Sequence, residues 1–437
     1  MRYTIWIVNT NDQLEPNESS TGLKNGYKIY DTNWTGVEPK LVEADISEQI
    51  GMIAKVTFTI DKSNPYYDEL ISRVTQVWIY EEDIINERNN EHNVLFAGHI
   101  VSITESISRD GIITKQVTCA DHTDYLNDTI VPRQSYWLTL RSAIGQISQF
   151  AENDHNDQVT HIEGSQGDPN VKCMYFNFST TVPQDYNNYE YVVNWDTTYR
   201  VVREIMDRFG YEWYVEPYKE ELEAGSGNYF YRMIVMVTDK IGKTSSVKLQ
   251  DGVNIQSLTV QKDETNVVTR LFPLGSTNDD GSVVTIPSEE GDTGDIHVSD
   301  RYNAIDNETA IERYGIISGI NTWDDVTLPA NLKTKGKSYI ANKCGVKVQY
   351  SGTFLDLAGK DPQNRFCLGD THRLVHSLLG IDETVRIVGL KRDLLRPWNV
   401  ELTLGDIFYN AEQQRYRETQ SLQSQINETY KHMGGNS

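Results

Sequence analysis

LGDTHRLVHSLLGIDETVRIVGLKRDLLRPWNVELTLGD, residues 368–406, is the stretch whose reading decides the fold. Leu-Gly-Asp turns bracket it at 368–370 and 404–406. Between them Val385, Ile387 and Leu390 are set among Arg386, Lys391 and Arg392, and Val400, Leu402 and Leu404 then share one face. Arg396, Pro397 and Trp398 separate the two runs. Period-two alternation bounded by Gly, Pro and Asp reads as an antiparallel hairpin with one buried face. Gly369, Asp370, Pro397, Gly405 and Asp406 are accordingly assigned as structural turn residues.

The same grammar recurs upstream. Alternating runs at 55–60, 75–80, 95–103 and 112–119 make residues 1–121 a β section, with Ser108-Arg109-Asp110-Gly111 as a hairpin turn. Residues 99–103 followed by 116–121 share a pattern with 386–390 followed by 399–406: an Ile-Val strand, a turn, a return strand and an acidic end. Hairpins are common enough that this repeat arises by coincidence as readily as by duplication.

After about residue 121 the period changes. Leu140, Ala143, Ile144, Ile147, Phe150 and Ala151 form one helical stripe, and Tyr199, Val202, Met206 and Phe209 form another. Thr197 or Thr198 can cap the second helix, and Gly210 sits where a left-handed C-cap belongs. Residues 122–262 thus read as a mixed α/β domain. Residues 263–345 read as an α+β domain with helices at 308–314 and 330–344, and 346–408 return to β. Gly275 is assigned to a turn.

Residues 94–104 (VLFAGHIVSIT), 117–132 (VTCADHTDYLNDTIVP) and 266–275 (NVVTRLFPLG), taken in order with 368–406, resemble the hub family at the tip of bacteriophage tails. That family is often called prophage endopeptidase tail proteins, and is similar to the baseplate hub of contractile-tailed phages. The expected fold is α+β: two β-barrel-like domains, 1–121 and 346–408, flanking mixed α/β insert domains, with a C-terminal helix at 409–437. The resemblance implies a homotrimer whose two barrels per chain make a six-fold-like ring on the tail tube. It implies contacts with the distal tail protein ring, the tape measure protein and tail fibre, spike or receptor-binding components. It also implies residence at the virion tail tip after synthesis in the host cytoplasm.

In residues 409–437, Tyr409, Tyr416, Gln423 and Tyr430 recur by sevens, as do Glu412, Thr419, Ile426 and Met433. Tyr416, Leu422, Ile426 and Tyr430 are candidate inter-subunit residues of this imperfect heptad, though a solvated surface helix explains the pattern equally well. Polar seam residues such as Gln423 leave it too weak to trimerise alone.

Composition narrows the function. At 437 residues the chain holds roughly two to four domains, and 38% hydrophobic content is too high for disorder. A net charge of −23 argues against wrapping nucleic acid. It serves solubility, or makes a wall that DNA passes without specific binding. No apolar run is long enough to span a bilayer, and residues 3–8 read as a first strand rather than a secretory signal. Cys119, Cys173, Cys344 and Cys367 are scattered without paired spacing, which fits a reducing compartment. Tyrosine is abundant, at 25 residues, and suits interfaces and sheet surfaces alike.

Chemical motifs are weak. His372 and His376 form an HxxxH pair without the glutamate or third ligand of a zinc site. Cys119 and His122 could suggest a nucleophile and base, but Cys119 alternates with Val117 in a buried strand. Asn278-Asp279-Asp280-Gly281 lacks the spaced carboxylates of a calcium loop and reads as a β-turn. We assign no catalytic residue, metal or cofactor. The leading reading is a structural tail-hub protein that closes or lines the channel for DNA ejection. Alternatives are a tail-associated peptidoglycan hydrolase, for which 31 residues after Asp406 are too few to add a catalytic domain, or the hub of a phage-like contractile injection particle.

Overall fold

The computed structural model describes residues 2–16, 22–34, 41–86, 91–161, 169–179, 189–221, 226, 228–264, 267–278, 280–323, 326–358 and 365–406. The expected helix at 409–437, with Tyr416, Leu422, Ile426 and Tyr430, lies outside them. Two compact units emerge: the described residues of Met1–Thr259 with Tyr350–Ser437, and Val260–Gln349.

The first unit opens with β1 (Tyr3–Asn9), β2 (Tyr27–Asp31), β3 (Leu41–Gln49), β4 (Lys55–Asp61), β5 (Thr75–Asn86), β6 (Glu91–Ile107) and β7 (Ile113–Asp121). Ile5, Ile7, Val56, Phe58, Ile60, Val77, Ile79, Ile100, Val117 and Cys119 are fully buried between these strands, which is why their alternation is legible. The expected turn at 108–111 closes through Gly111 N–H to Ser108 O, 3.0 Å.

The mixed α/β section follows: β8 (Ile130–Val131), β9 (Gln134–Leu138), α1 (Leu140–Ser148), α2 (His155–Thr160), β10 (Met174–Ser179), β11 (Tyr189–Val193), β12 (Asp196–Thr197), α3 (Thr198–Phe209), β13 (Glu212–Glu221), β14 (Tyr229–Thr238) and β15 (Thr244–Gln250). Thr197 caps α3 by accepting from Arg200 N–H, and Gly210 ends it in the left-handed region, φ 73°. The buried stripe of α3, Val201, Val202, Ile205 and Met206, packs with Trp213, Met233, Val235 and Val237 of the β10-β14-β13 sheet.

The chain then forms β16 (Thr259–Asp263), of which Val260–Asp263 belong to the second unit. The second unit contains β17 (Arg270–Thr277), β18 (Val283–Thr285), β19 (Ile296–Val298), β20 (Ile305–Asn307), α4 (Glu308–Tyr314), β21 (Ser318–Thr322) and α5 (Pro329–Lys343) around a core of Leu271, Ile286, Val298, Ile305, Leu332 and Ile340. Both helices fall where Pro329 and Gly315 predict. Gly275 is not in a turn. It lies inside β17, where an added Cβ would sit 2.5 Å from Val326 O, so close approach rather than chain reversal explains the glycine.

β22 (Lys347–Leu355) starts in the second unit and returns to the first at Tyr350; β23 (Thr371–His376), β24 (Ile381–Asp393) and β25 (Asn399–Gly405) follow. β24 and β25 form the antiparallel hairpin expected from the sequence, with Ile387, Leu390, Val400, Leu402 and Leu404 buried. The Asn399 N–H donates to Arg396 O across Pro397, 2.8 Å. Gly405 has φ +85°, so Gly405→Val is expected to lose about 2–4 kcal/mol and Pro397→Ala less than about 1 kcal/mol. Thermal melts of the two variants test this; equal melting temperatures would remove the turn assignment.

The main sheet runs β16-β22-β25-β24-β3-β4-β7-β6-β5-β1-β2, with β23 pairing β24 and β15. Among the described residues this path is open and closes no barrel. What it contains is one arrangement used twice. In chain order β3, β4, β5, β6 and β7 stand side by side as β3-β4-β7-β6-β5; β16, β22, β23, β24 and β25 stand as β16-β22-β25-β24-β23. Residues 264–346 lie in the chain between the first two strands of the second repeat, where the first repeat has only residues 50–54.

Candidate functional site

The two repeats match residue by residue at their central hairpins. Ile100 faces Cys119 and Ser102 faces Thr118, so Val101 is the extra residue of a bulge. Ile387 faces Leu404 and Gly389 faces Thr403, so Val388 is the extra residue of the second. Beyond each bulge the pairs are Ile103 with Val117, and Leu390 with Leu402. Below each bulge the outer neighbour also corresponds: Gln76 of β5 faces His99, and Thr371 of β23 faces Arg386. A shared bulge at the same step of the same motif settles the sequence repeat in favour of a real structural correspondence.

The repeats join edge to edge. Beyond β23, the same edge of β24 takes β3 in antiparallel register, Gly389 opposite Gln49 through Asp393 opposite Asp45. Leu394 N–H donates to Ala44 O, 2.9 Å, and the Leu394 side chain is buried with Ala44, Ile46 and Phe58. Arg392, 2% exposed, donates to Asp356 Oδ2 at 2.8 Å and to Phe366 O at 3.0 Å. Arg365 pairs with buried Glu81 nearby. These guanidiniums line a cavity of about 400 Å³ with Glu48, Trp213, Tyr231 and Phe366. Desolvation holds the Glu48 carboxyl above its ordinary range. Both guanidiniums in this wall already hold a carboxylate, Arg392 that of Asp356 and Arg365 that of Glu81.

A second fastening ties β13 to the C-terminal hairpin. Arg386 grips Glu212 with two bonds, 2.7 and 2.6 Å, and donates to Gly369 O and Ile241 O. Glu212 also accepts from Ile241 N–H, and Asp370 accepts from Lys243 N–H at 2.8 Å. Gly369 and Asp370 therefore form a turn that is also a docking point. Asp370 is buried, and desolvation raises its carboxyl above the ordinary range. Asp406 follows the last strand at the end of the described residues.

The weak chemical motifs resolve into packing. His372 and His376 lie on β23 and not on a helix; four residue steps along the strand separate them by roughly 13 Å. His372 Nδ1 bonds Val247 O, 2.9 Å. Cys119 is fully buried, and desolvation pushes its thiol well above the usual range. His122 begins a short 3-10 turn, and its Nε2 meets Gln76 Oε1 at 3.1 Å. Around it stand Trp78, Tyr125 and His99, with Asp124 beside His99. Desolvation, reinforced by His99, pushes His122 down to about 3. Its folded pKa lies below the unfolded value of 6.5, so its contribution is fully present above that pH and is lost as pH falls toward 3. The expected loss from this group is on the order of 2 kcal/mol by about pH 5, and His122→Gln should flatten that slope in denaturant titrations.

Sequence reasoning missed the β3–β24 joint, Glu212 with Arg386, and Asp356 with Arg392. The one available signal was the three-residue step from Ile387 to Leu390, which only a bulge reconciles with one buried face.

The sequence model of the prophage endopeptidase tail family matches residues 243–415. The matched segment spans β15 to β25, including the whole C-terminal hairpin. The fold of the described residues is similar to those of solved prophage tail proteins. It is similar to prophage tail protein gp18 of Listeria monocytogenes EGD-e at 12% identity and TM-score 0.52, over 98% of this chain and 99% of that one. It is also similar to the 43 kDa tail protein of prophage MuSo2 from Shewanella oneidensis at 11% identity and TM-score 0.52, over 92% and 98%. No curated protein matches the sequence. No described helix is long and apolar enough to cross a membrane.

Proposed function

We propose that this chain is a structural hub protein of a phage tail tip or baseplate, and not a hydrolase. Three copies form a ring that closes or lines the tail channel. It joins the distal tail ring and tape measure to fibre, spike or other tip components, and opens to let DNA leave without binding it specifically. The observation that carries this reading is the repeated strand order with its matched bulges. A chain with two like repeats lets three copies offer six like positions to a six-fold tube. The acidic net charge suits a wall that DNA slides past.

An electron-microscopic structure of the particle tests the reading, with three copies and six repeats expected around the tail axis. Six equivalent copies, or one copy off the axis, would overturn it. Purified protein should leave host cell walls intact. Release of soluble wall fragments, abolished by His372→Ala, His376→Ala or Cys119→Ala, would restore the hydrolase reading.

A further inference from the structure

We infer that the cavity lined by β3, β6, β13 and residues 365–368 is a binding site for a small organic cation, a primary amine or a guanidinium, held by the carboxylate of Glu48. All of its walls lie in the first unit.

Strand alternation puts Glu48 on the face of β3 that carries Ala44 and Ile46, each 1% exposed. A carboxylate at such a position ordinarily holds a partner, because removing it from water unpaired is costly. Glu48 holds none: among the described residues its side chain makes no hydrogen bond and no ion pair. Its backbone is fixed opposite Leu390 of β24 in the ladder, and its side chain lines the cavity of about 400 Å³. Burial raises its carboxyl, so the ionised form gains from a cation that enters.

The other charges in the wall are committed. Arg392 is taken by Asp356 and Arg365 by Glu81. Asp121 accepts from Ala54 N–H at 2.6 Å and from Thr123 N–H at 2.9 Å. An entering anion would find both guanidiniums engaged and Glu48 repelling it. A divalent metal needs several oxygen ligands, and no group of three or more His, Cys, Asp or Glu side chains that could hold one occurs among the described residues. The rest of the wall includes Trp213, Tyr214 and Tyr231. Aromatic rings attract a cation over their faces and also cover methylene groups. An amine or guanidinium on a short alkyl chain suits both halves of this cavity. The same chemistry is offered by a free small molecule and by a lysine or arginine side chain of a partner protein.

Cys367 lies in the wall and is exposed, so its alkylation reports occupancy; Cys344, outside the cavity, is the reference thiol. Maleimide labelling of the full chain, read by peptide mass mapping, tests the site with n-butylguanidine as the probe. The probe should slow labelling of Cys367 about tenfold, half-maximally at about 0.1–1 mM, and leave Cys344 unchanged. The neutral analogue pentanamide should give no protection. Glu48→Gln should weaken binding at least about tenfold while melting no lower than the wild type. Tyr214→Leu, at a ring 36% exposed, should weaken it about threefold and tests the site independently of Glu48. Acetyl-Gly-Arg-Gly-amide separates the two sources. Protection as good as that by the free cation supports the site and assigns a partner's side chain; protection by n-butylguanidine alone supports it and assigns a free small molecule. Equal protection by pentanamide, unchanged binding in Glu48→Gln, or no protection by any cationic probe overturns the site. A Glu48→Gln chain that melts well below the wild type would show that the carboxylate already has a partner within the protein, and overturns it too. None of these outcomes touches the hub reading.

Discussion

Arg392→Ala is expected to lower the stability of the first unit by about 3–5 kcal/mol, because it leaves a buried carboxylate without its partner. The Asp356 side chain is wholly buried, and Arg392 is its only cationic hydrogen-bond partner among the described residues. The backbone N–H of Ala358 also reaches Asp356, at 2.9 Å, which does not neutralise it. The loss extends beyond one pair. Arg392 stands opposite Ile46 in the β24–β3 ladder and bonds Phe366 O, so its removal loosens the joint between the repeats. Urea unfolding followed by tryptophan fluorescence should show the midpoint of the corresponding transition falling sharply. Arg392→Met combined with Asp356→Leu should recover most of the loss, since exchanging a buried ion pair for apolar groups is often neutral. A loss below about 1 kcal/mol for the single variant would mean that water reaches Asp356.

Gly369→Val should have an effect at least as large, about 4 kcal/mol or more. Gly369 has φ +86° and Gly242 has φ +86°, and the two backbones lie directly against each other. A Cβ on Gly369 would fall 2.5 Å from Ile241 O, and one on Gly242 would fall 2.2 Å from the Gly369 carbonyl carbon. Neither contact can be relieved by rotating a side chain. The push would also separate Arg386 from Gly369 O and Ile241 O, undoing the link from β13 to the last hairpin. Gly380→Ala is the matched control. Its φ is +65°, but an added Cβ meets open space, so only the backbone penalty of about 1 kcal/mol applies. Comparable soluble yield and melting temperature for Gly369→Val and Gly380→Ala would contradict the close-approach argument.

What the sequence determined by itself is local. The alternation of Val400, Leu402 and Leu404, the cap at Thr197 and Gly210, the Pro329 helix start and the turn at 108–111 all follow from rules acting over a few residues. They were readable because each depends on backbone geometry and on which side of one element faces water. The resemblance to tail hubs was readable for the same reason, since its landmarks are turns and strands in order. The tertiary structure decided how those strands share edges. Ladder bonds use backbone groups that every residue carries, so nothing in 45–49 advertises that it pairs with 389–393. Gly275 looked like a turn because a glycine required by a neighbour's backbone and one required by positive φ read alike in one dimension. Arg386 with Glu212, 174 residues apart, and the two bulges in one register likewise needed the chain to be folded before the charges met or the repeats could be laid over each other.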